Sequence, residues 1–282
     1  MNRWAGTRAV WGTGRWRREL ERLLREHPPR ARLEFDPVSI PRRARTMGAA
    51  RADIEALALF TAMLAHGRAD TFTAIVRSIV EPHGYSLQAA VRDTGCAWPS
   101  YRFSRSGDLR RLARAAVRLA ESPGGLEGAF AVAWNRGAGL WGAVAALRAR
   151  LWGLVPPAAR TRGLRYLLPS ADSSGCAKRW MLFLRWMVRP DDGVDLGLWG
   201  VPPPARLVVP LDRHMAFFAA AFGWTRRRTP DRRMAEEITN FLRRLDPADP
   251  LRYDFALCHL GIAGVCRHGR DRGDCRRCRF QD

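Results

Sequence analysis

The sequence predicts an all-α fold, and two observations carry that expectation. Apolar residues recur at three- and four-residue spacing from end to end, the period of an amphipathic helix. No stretch alternates apolar and polar residues at period two, so a sheet is not expected. With 282 residues, 47% of them hydrophobic, the chain can bury a large core as one large domain or two small lobes.

In chain order, residues 1–32 form a basic N-terminal appendage ahead of a Pro-rich break at 34–43, "EFDPVSIPRR". Helical patterns follow at about 53–66 and 69–80. "GDLRRLARAAVRLAESPGG" then places Leu109, Leu112, Ala113, Ala116, Val117 and Ala120 on one helical face, with Ser106 or Asp108 to cap it and Pro123-Gly124-Gly125 to stop it. Further patterns at about 138–152, 178–189 and 213–223 are separated by breaks at 155–162 and 189–207, both rich in Pro, Gly or Asp. "TPDRRMAEEITNFLRRLDP" repeats the grammar, with Thr229 as the expected cap, Pro230 in the first turn, and Met234, Ile238, Phe241, Leu242 and Leu245 facing inward. A break at 246–250 precedes the last helix, about 250–264, and a basic Cys-rich tail, 265–282. No internal repeat is visible.

A formal net charge of +21 and a pI near 11.4 exceed what solubility needs. An arginine-rich chain of this kind is expected to meet a polyanion, with nucleic acid ahead of an anionic membrane surface. The first twenty residues carry charge but no apolar core of secretory length. The most apolar region, "GAFAVAWNRGAGLWGAVAAL", is interrupted by Asn135-Arg136 and falls short of a membrane span. The expectation is a cytoplasmic monomer that binds DNA and not membrane. Six cysteines without a secretory signal argue for thiols or metal ligands over a disulfide framework.

One residue stands out against this background. Lys178 is the only lysine among 48 Lys plus Arg residues. Asn is nearly absent too, which points to a GC-rich coding bias as the cause of lysine scarcity. Arginine substitutes wherever only positive charge is wanted, but a guanidinium cannot serve as an amine nucleophile. A neutral lysine amine can attack carbon and form a Schiff base. Lys178 opens the apolar helix "KRWMLFLRWMVR" directly after the polar turn "LLPSADSSGCA". Free backbone N–H groups at such a helix start suit phosphate. Later, "LVVP" delivers Asp212 to the start of another helix, where an acid either caps or does chemistry.

A polar hairpin ending in a helix-borne Lys, followed by an apolar segment ending in Asp at a helix start, resembles the helix-hairpin-helix DNA glycosylases. The long interval between Lys178 and Asp212 is more similar to the archaeal 8-oxoguanine glycosylases than to the endonuclease III branch. The hairpin, about 164–189, departs from the usual pattern: Gly175 stands three residues before Lys178 and the glycine pair is missing. The resemblance implies two helical lobes with a cleft between them, within a glycosylase-like domain over 33–264. It implies base excision from damaged DNA, of an oxidised purine for instance, with AP-lyase chemistry through Lys178 and Asp212 and no required cofactor. Gly175, Arg179, Arg185, Arg213 and His214 would contact DNA. Trp180, Trp186, Phe217 and Phe218 are the candidates to line a pocket for a flipped base, with Trp224 a further one, although regular aromatic spacing is also what a buried helix face needs. The alternative function is a non-catalytic helical module that binds DNA or RNA through its arginines. The chain also resembles an uncharacterised bacterial family of conserved hypothetical proteins, through "FDPVSIPRR", "LAHGRADT", "GCAKRWMLFLRWMVR", "GVDLGLW", "VPLDRHM" and "RYDFALCHLG".

In the tail, Cys266, Cys275 and Cys278 resemble the iron-sulfur loop that follows the last helix of endonuclease III relatives, short of its fourth cysteine. His268 would complete a three-Cys, one-His zinc site. A basic tail with free thiols is the other reading.

Overall fold

The structure is a computed structural model and describes residues 11–171 and 174–262. Among these residues the regular structure is helical, as the periodicity predicts, with no strand beyond two isolated backbone bridges. The helices are α1 (Thr13–Glu26), α2 (Ser39–Thr46), α3 (Arg51–Leu64), α4 (Ala69–Val80), α5 (Leu87–Arg92), α6 (Ser106–Ala120), α7 (Gly125–Asn135), α8 (Gly139–Gly153), α9 (Arg162–Leu167), α10 (Lys178–Val188), α11 (Arg213–Ala221), α12 (Arg232–Leu245) and α13 (Asp254–Ile262). The chain divides into two compact units. The first comprises Met1–Arg32, Ser174–Lys178 and Pro204–Asp282, and the second Leu33–Ser173 and Arg179–Pro203.

In the first unit α1 packs on α12 and α11 packs on α13. Trp16 is fully buried at the centre, its ring 4.9 Å from Phe222, 5.2 Å from Trp224 and 6.1 Å from Phe241. Glu21 accepts from the Tyr253 hydroxyl at 2.8 Å and from Arg252 at 3.1 Å. The segment read as a basic appendage is therefore, over α1, an integral helix: it is basic on one face and supplies Trp16, Leu20 and Leu23 to the core on the other. The cap of α12 is Asp231, whose carboxylate accepts the Met234 N–H at 2.8 Å, and not Thr229. A carboxylate answers the positive helix start better than a hydroxyl, and Asp231 stands two residues closer to it than Thr229.

In the second unit α3 is the central helix. Its run from Asp53 to Leu64 is buried on every side, against α2 and α6 among others. Glu55 on this helix accepts from the indole N–H of Trp199 at 3.2 Å and the Leu126 N–H at 3.3 Å. The stretch around "GVDLGLW", read as a break, is irregular but built into the core: Val194, Asp195, Leu196 and Trp199 are buried. The break at 34–43 is half helix, because Pro41 falls in the first turn of α2, where its missing N–H costs nothing. α6 presents the predicted face inward, and Asp108 accepts the Arg105 N–H at 2.9 Å and the Thr161 hydroxyl at 2.5 Å.

Candidate active site

Asp212 stands at the cap of α11, extended at φ −114°, with Oδ1 accepting the Met215 N–H at 2.8 Å. That bond fixes the carboxylate and leaves Oδ2 turned toward Lys178, whose Nζ is 3.9 Å away. At this distance the contact is electrostatic and longer than a hydrogen bond. The Lys178 side chain is 38% exposed and that of Asp212 17%, so the pair is reachable from solvent while the carboxylate is partly shielded.

Short backbone and thiol contacts hold Lys178 there. Gly175 bridges to Asp231 in antiparallel fashion, and the Arg232 N–H donates to the Ser174 carbonyl at 2.9 Å. The Cys176 thiol donates to the carbonyl of Leu211, the residue before Asp212, at 3.6 Å. Ala177 then turns through φ +44°, a left-handed conformation that costs a residue with a Cβ roughly 1 kcal/mol or more. The chain enters α10 at Lys178 straight from that strained residue. On the other flank, the Cys258 thiol lies 3.6 Å from Asp254 Oδ1 and 4.0 Å from Asp212 Oδ1. Ala177, Cys258 and Asp231 carry no sequence signal of a site, and Cys176 carries only its place two residues before Lys178.

The other expected site residues divide by burial. Gly175 and Arg213 are exposed, and His214 and Phe217 are half-buried. Phe218, 2% exposed, packs at 5.7 Å on Phe222 and belongs to the aromatic core of the first unit. In the second unit Trp180 and Trp186 are also core residues, 0% and 1% exposed, with the Trp180 indole donating to the Pro169 carbonyl. No base can stack on these three rings without opening the core, so they are corrected to structural roles. Arg185 is likewise corrected: it is 4% exposed and, with Arg189, pairs with the fully buried Asp195. Its charge serves the interior and is closed to phosphate. Arg179 donates to the carbonyls of Met63, Leu167 and Tyr166, and burial pushes its pKa down to about 10.

A cleft of about 520 Å³ in the first unit is walled by Trp224 and Phe241, stacked at 4.6 Å, with Arg226, Glu237, Asn240 and Arg244 at its rim. Neither Lys178 nor Asp212 lines it. Among the described residues no group of three or more His, Cys, Asp or Glu side chains could hold a metal. Cys266, His268, Cys275 and Cys278 lie outside the described residues. No helix among the described residues is long and apolar enough to cross a membrane.

Residues 36–263 match a family described as a protein of unknown function, DUF2400. The chain belongs to the DUF2400 family. The match takes in Lys178, Cys176, Asp212 and Cys258 together, while α1 lies before it. No curated protein and no solved structure matches the chain. DUF2400 membership brings no activity with it, so the chemistry of the pair has to be argued from geometry.

Proposed function

We propose that this DUF2400 protein is a DNA base-excision glycosylase with AP-lyase chemistry, related in design to the helix-hairpin-helix glycosylases. The reading is carried by one observation: the only lysine of the chain has its amine 3.9 Å from a carboxylate oxygen that a helix cap holds in place. The described contacts suit a nucleophile and an electrostatic partner. Asp212 Oδ2 would stabilise positive charge developing on the deoxyribose as the damaged base departs with the electrons of the glycosidic bond. Lys178, after losing a proton, would bond its nitrogen to C1′. Opening of the sugar then gives an imine, and loss of a C2′ proton expels the 3′ phosphate and nicks the strand. The 3.9 Å gap is too small for a sugar, so the solvent-reaching lysine stem has to swing aside on binding. Arg213 and His214, in the first turn after Asp212, would contact the flanking backbone.

A second reading has its own support. Asp212 caps α11, which by itself is a sufficient structural reason for an acid there. On that reading the protein is a non-catalytic helical module for DNA or RNA.

Borohydride reduction in the presence of oligonucleotides bearing oxidised purines or abasic sites separates the two. Imine chemistry gives a covalent protein–DNA adduct with the wild type and none with Lys178→Arg, which keeps the charge while guanidinium holds its proton. A Lys178→Arg protein that excises and nicks as well as wild type refutes the nucleophile and leaves the binding module.

A further inference from the structure

In the second unit a tight turn spans Tyr101–Ser104, closed by N–H···O=C bonds of 2.8 and 2.9 Å in both directions between its end residues. Arg102 takes φ +52° in this turn, and Phe103 is lifted to 65% exposure. Tyr166 on α9, 37% exposed, meets the Phe103 ring edge-on at 5.1 Å. Behind this pair lies a second tier: His66 stacks on Tyr101 at 4.7 Å and meets Tyr166 edge-on at 4.9 Å.

The tiers are held rigidly. The Tyr101 hydroxyl donates to the His66 carbonyl, and the Ser104 hydroxyl donates to the Gly163 carbonyl at 3.0 Å. Two glycines allow the close approach. A Cβ on Gly67, at φ +87°, would lie 2.8 Å from both Tyr101 Oη and Arg102 Nη1, and one on Gly163 would lie 2.7 Å from the Phe103 carbonyl oxygen.

Charge completes the picture. The Arg102 guanidinium lies 5.6 Å from the Phe103 ring centre and that of Arg179 5.3 Å from Tyr166. Among the described residues neither pairs with a carboxylate. His66 between them is neutral at pH 7, its pKa pushed down to about 4 by burial and then by Arg179 and Arg102. The patch thus offers one exposed aromatic face, that of Phe103, with arginine beside it, which suits a π-face joined to an anion. A second copy of this chain would bring the same cationic patch and repel.

We propose that Phe103, with Tyr166 edge-on beside it and Arg102 flanking it, forms a stacking platform for an unpaired base of single-stranded nucleic acid, with the Arg102 charge facing an adjacent phosphate. The platform does not depend on the Lys178 chemistry.

Fluorescence anisotropy of the full chain with a labelled oligothymidylate, and with a blunt duplex of the same length, tests it. Phe103→Ala leaves an exposed position and an intact fold, verified by its melting curve. It should weaken the single-strand complex about 5- to 150-fold, the equivalent of the ~1–3 kcal/mol of one base–aromatic stack. Phe103→Tyr should retain wild-type affinity, and duplex binding should be unchanged in both. Arg102→Asn, chosen because Asn tolerates positive φ, should flatten the salt dependence of single-strand binding by about one phosphate's worth. Equal single-strand affinity for wild type and Phe103→Ala overturns the platform and assigns the patch to another partner, such as a protein. A loss that is equally large on duplex overturns it too.

Discussion

Replacing His66 by Phe isolates the energetic cost of a buried imidazole. Both ring nitrogens of His66 are shielded from solvent with no hydrogen-bond partner among the described residues. The folded-state pKa is about 4, against an unfolded value near 6.5. As pH falls through 6.5 the unfolded chain takes up this proton first, so stability is lost between about pH 6.5 and 4 and levels off below. The ceiling is ~3 kcal/mol at 1.36 kcal/mol per pKa unit, and discounting for the half-buried state of the residue leaves ~1–2 kcal/mol. His83 works in the opposite sense. Its pKa is raised by the hydrogen bond to Asp93, so its contribution is complete below the unfolded pKa and is lost as pH rises through the folded one. The clean quantity is therefore the difference between His66→Phe and wild type, measured by urea unfolding at pH 7, 5.5 and 4.5. Phe keeps the stack on Tyr101 and removes two unsatisfied nitrogens, so the variant should match or exceed wild type at pH 7 and gain ~1–2 kcal/mol on it by pH 4.5. Parallel stability curves, or a wild type that gains on the variant in acid, would refute the argument.

Substitutions at two further positions test the helix cap and the buried ion network. Asp212→Asn keeps a side chain that caps α11 as well as Asp does, so stability should stay within ~0.5 kcal/mol while excision is lost; Asp212→Ala should cost ~1 kcal/mol as well, read from thermal melts. Equal activity of Asp212→Asn and wild type would reduce the residue to a cap. Asp195→Ala removes the buried carboxylate that Arg185 and Arg189 share, Arg189 keeping Asp192, and should cost ~3–5 kcal/mol in urea, with a loss under ~1 kcal/mol refuting the buried network.

Helices with one strongly apolar face were legible in the sequence. All six inward positions named for α6 are buried, and α4 and α10 begin where the pattern places them. α5 and α9 are six residues each, too short for periodicity to register, and depend on Ser86 and Thr161 caps. α7 is apolar on several faces and reads as a buried segment of undefined type. In the site, Lys178 was visible as a compositional singularity and Asp212 as a helix start. Their approach to 3.9 Å is a fact of tertiary structure that spacing alone suggested only through resemblance. Arg185 misled because an arginine on an apolar helix looks like a solvent-seeking charge, and its partner Asp195 sits in a loop that reads as a break. Cys176 meets the Leu211 carbonyl, and Cys258 lies 4.0 Å from Asp212, only through tertiary structure, since 35 and 46 residues separate them in the chain.

The clamp between Ser174–Gly175 and the start of α12 has a consequence for how the molecule is made. The N–H of Arg232 is a donor that a helix start cannot satisfy internally, and the Lys178 segment meets that need with the Ser174 carbonyl. Both residues of the pair are made before α12, yet the backbone bridge that holds Gly175 forms only once Asp231 and Arg232 arrive. A nascent chain halted after α11 would carry every atom of the pair without this bridge.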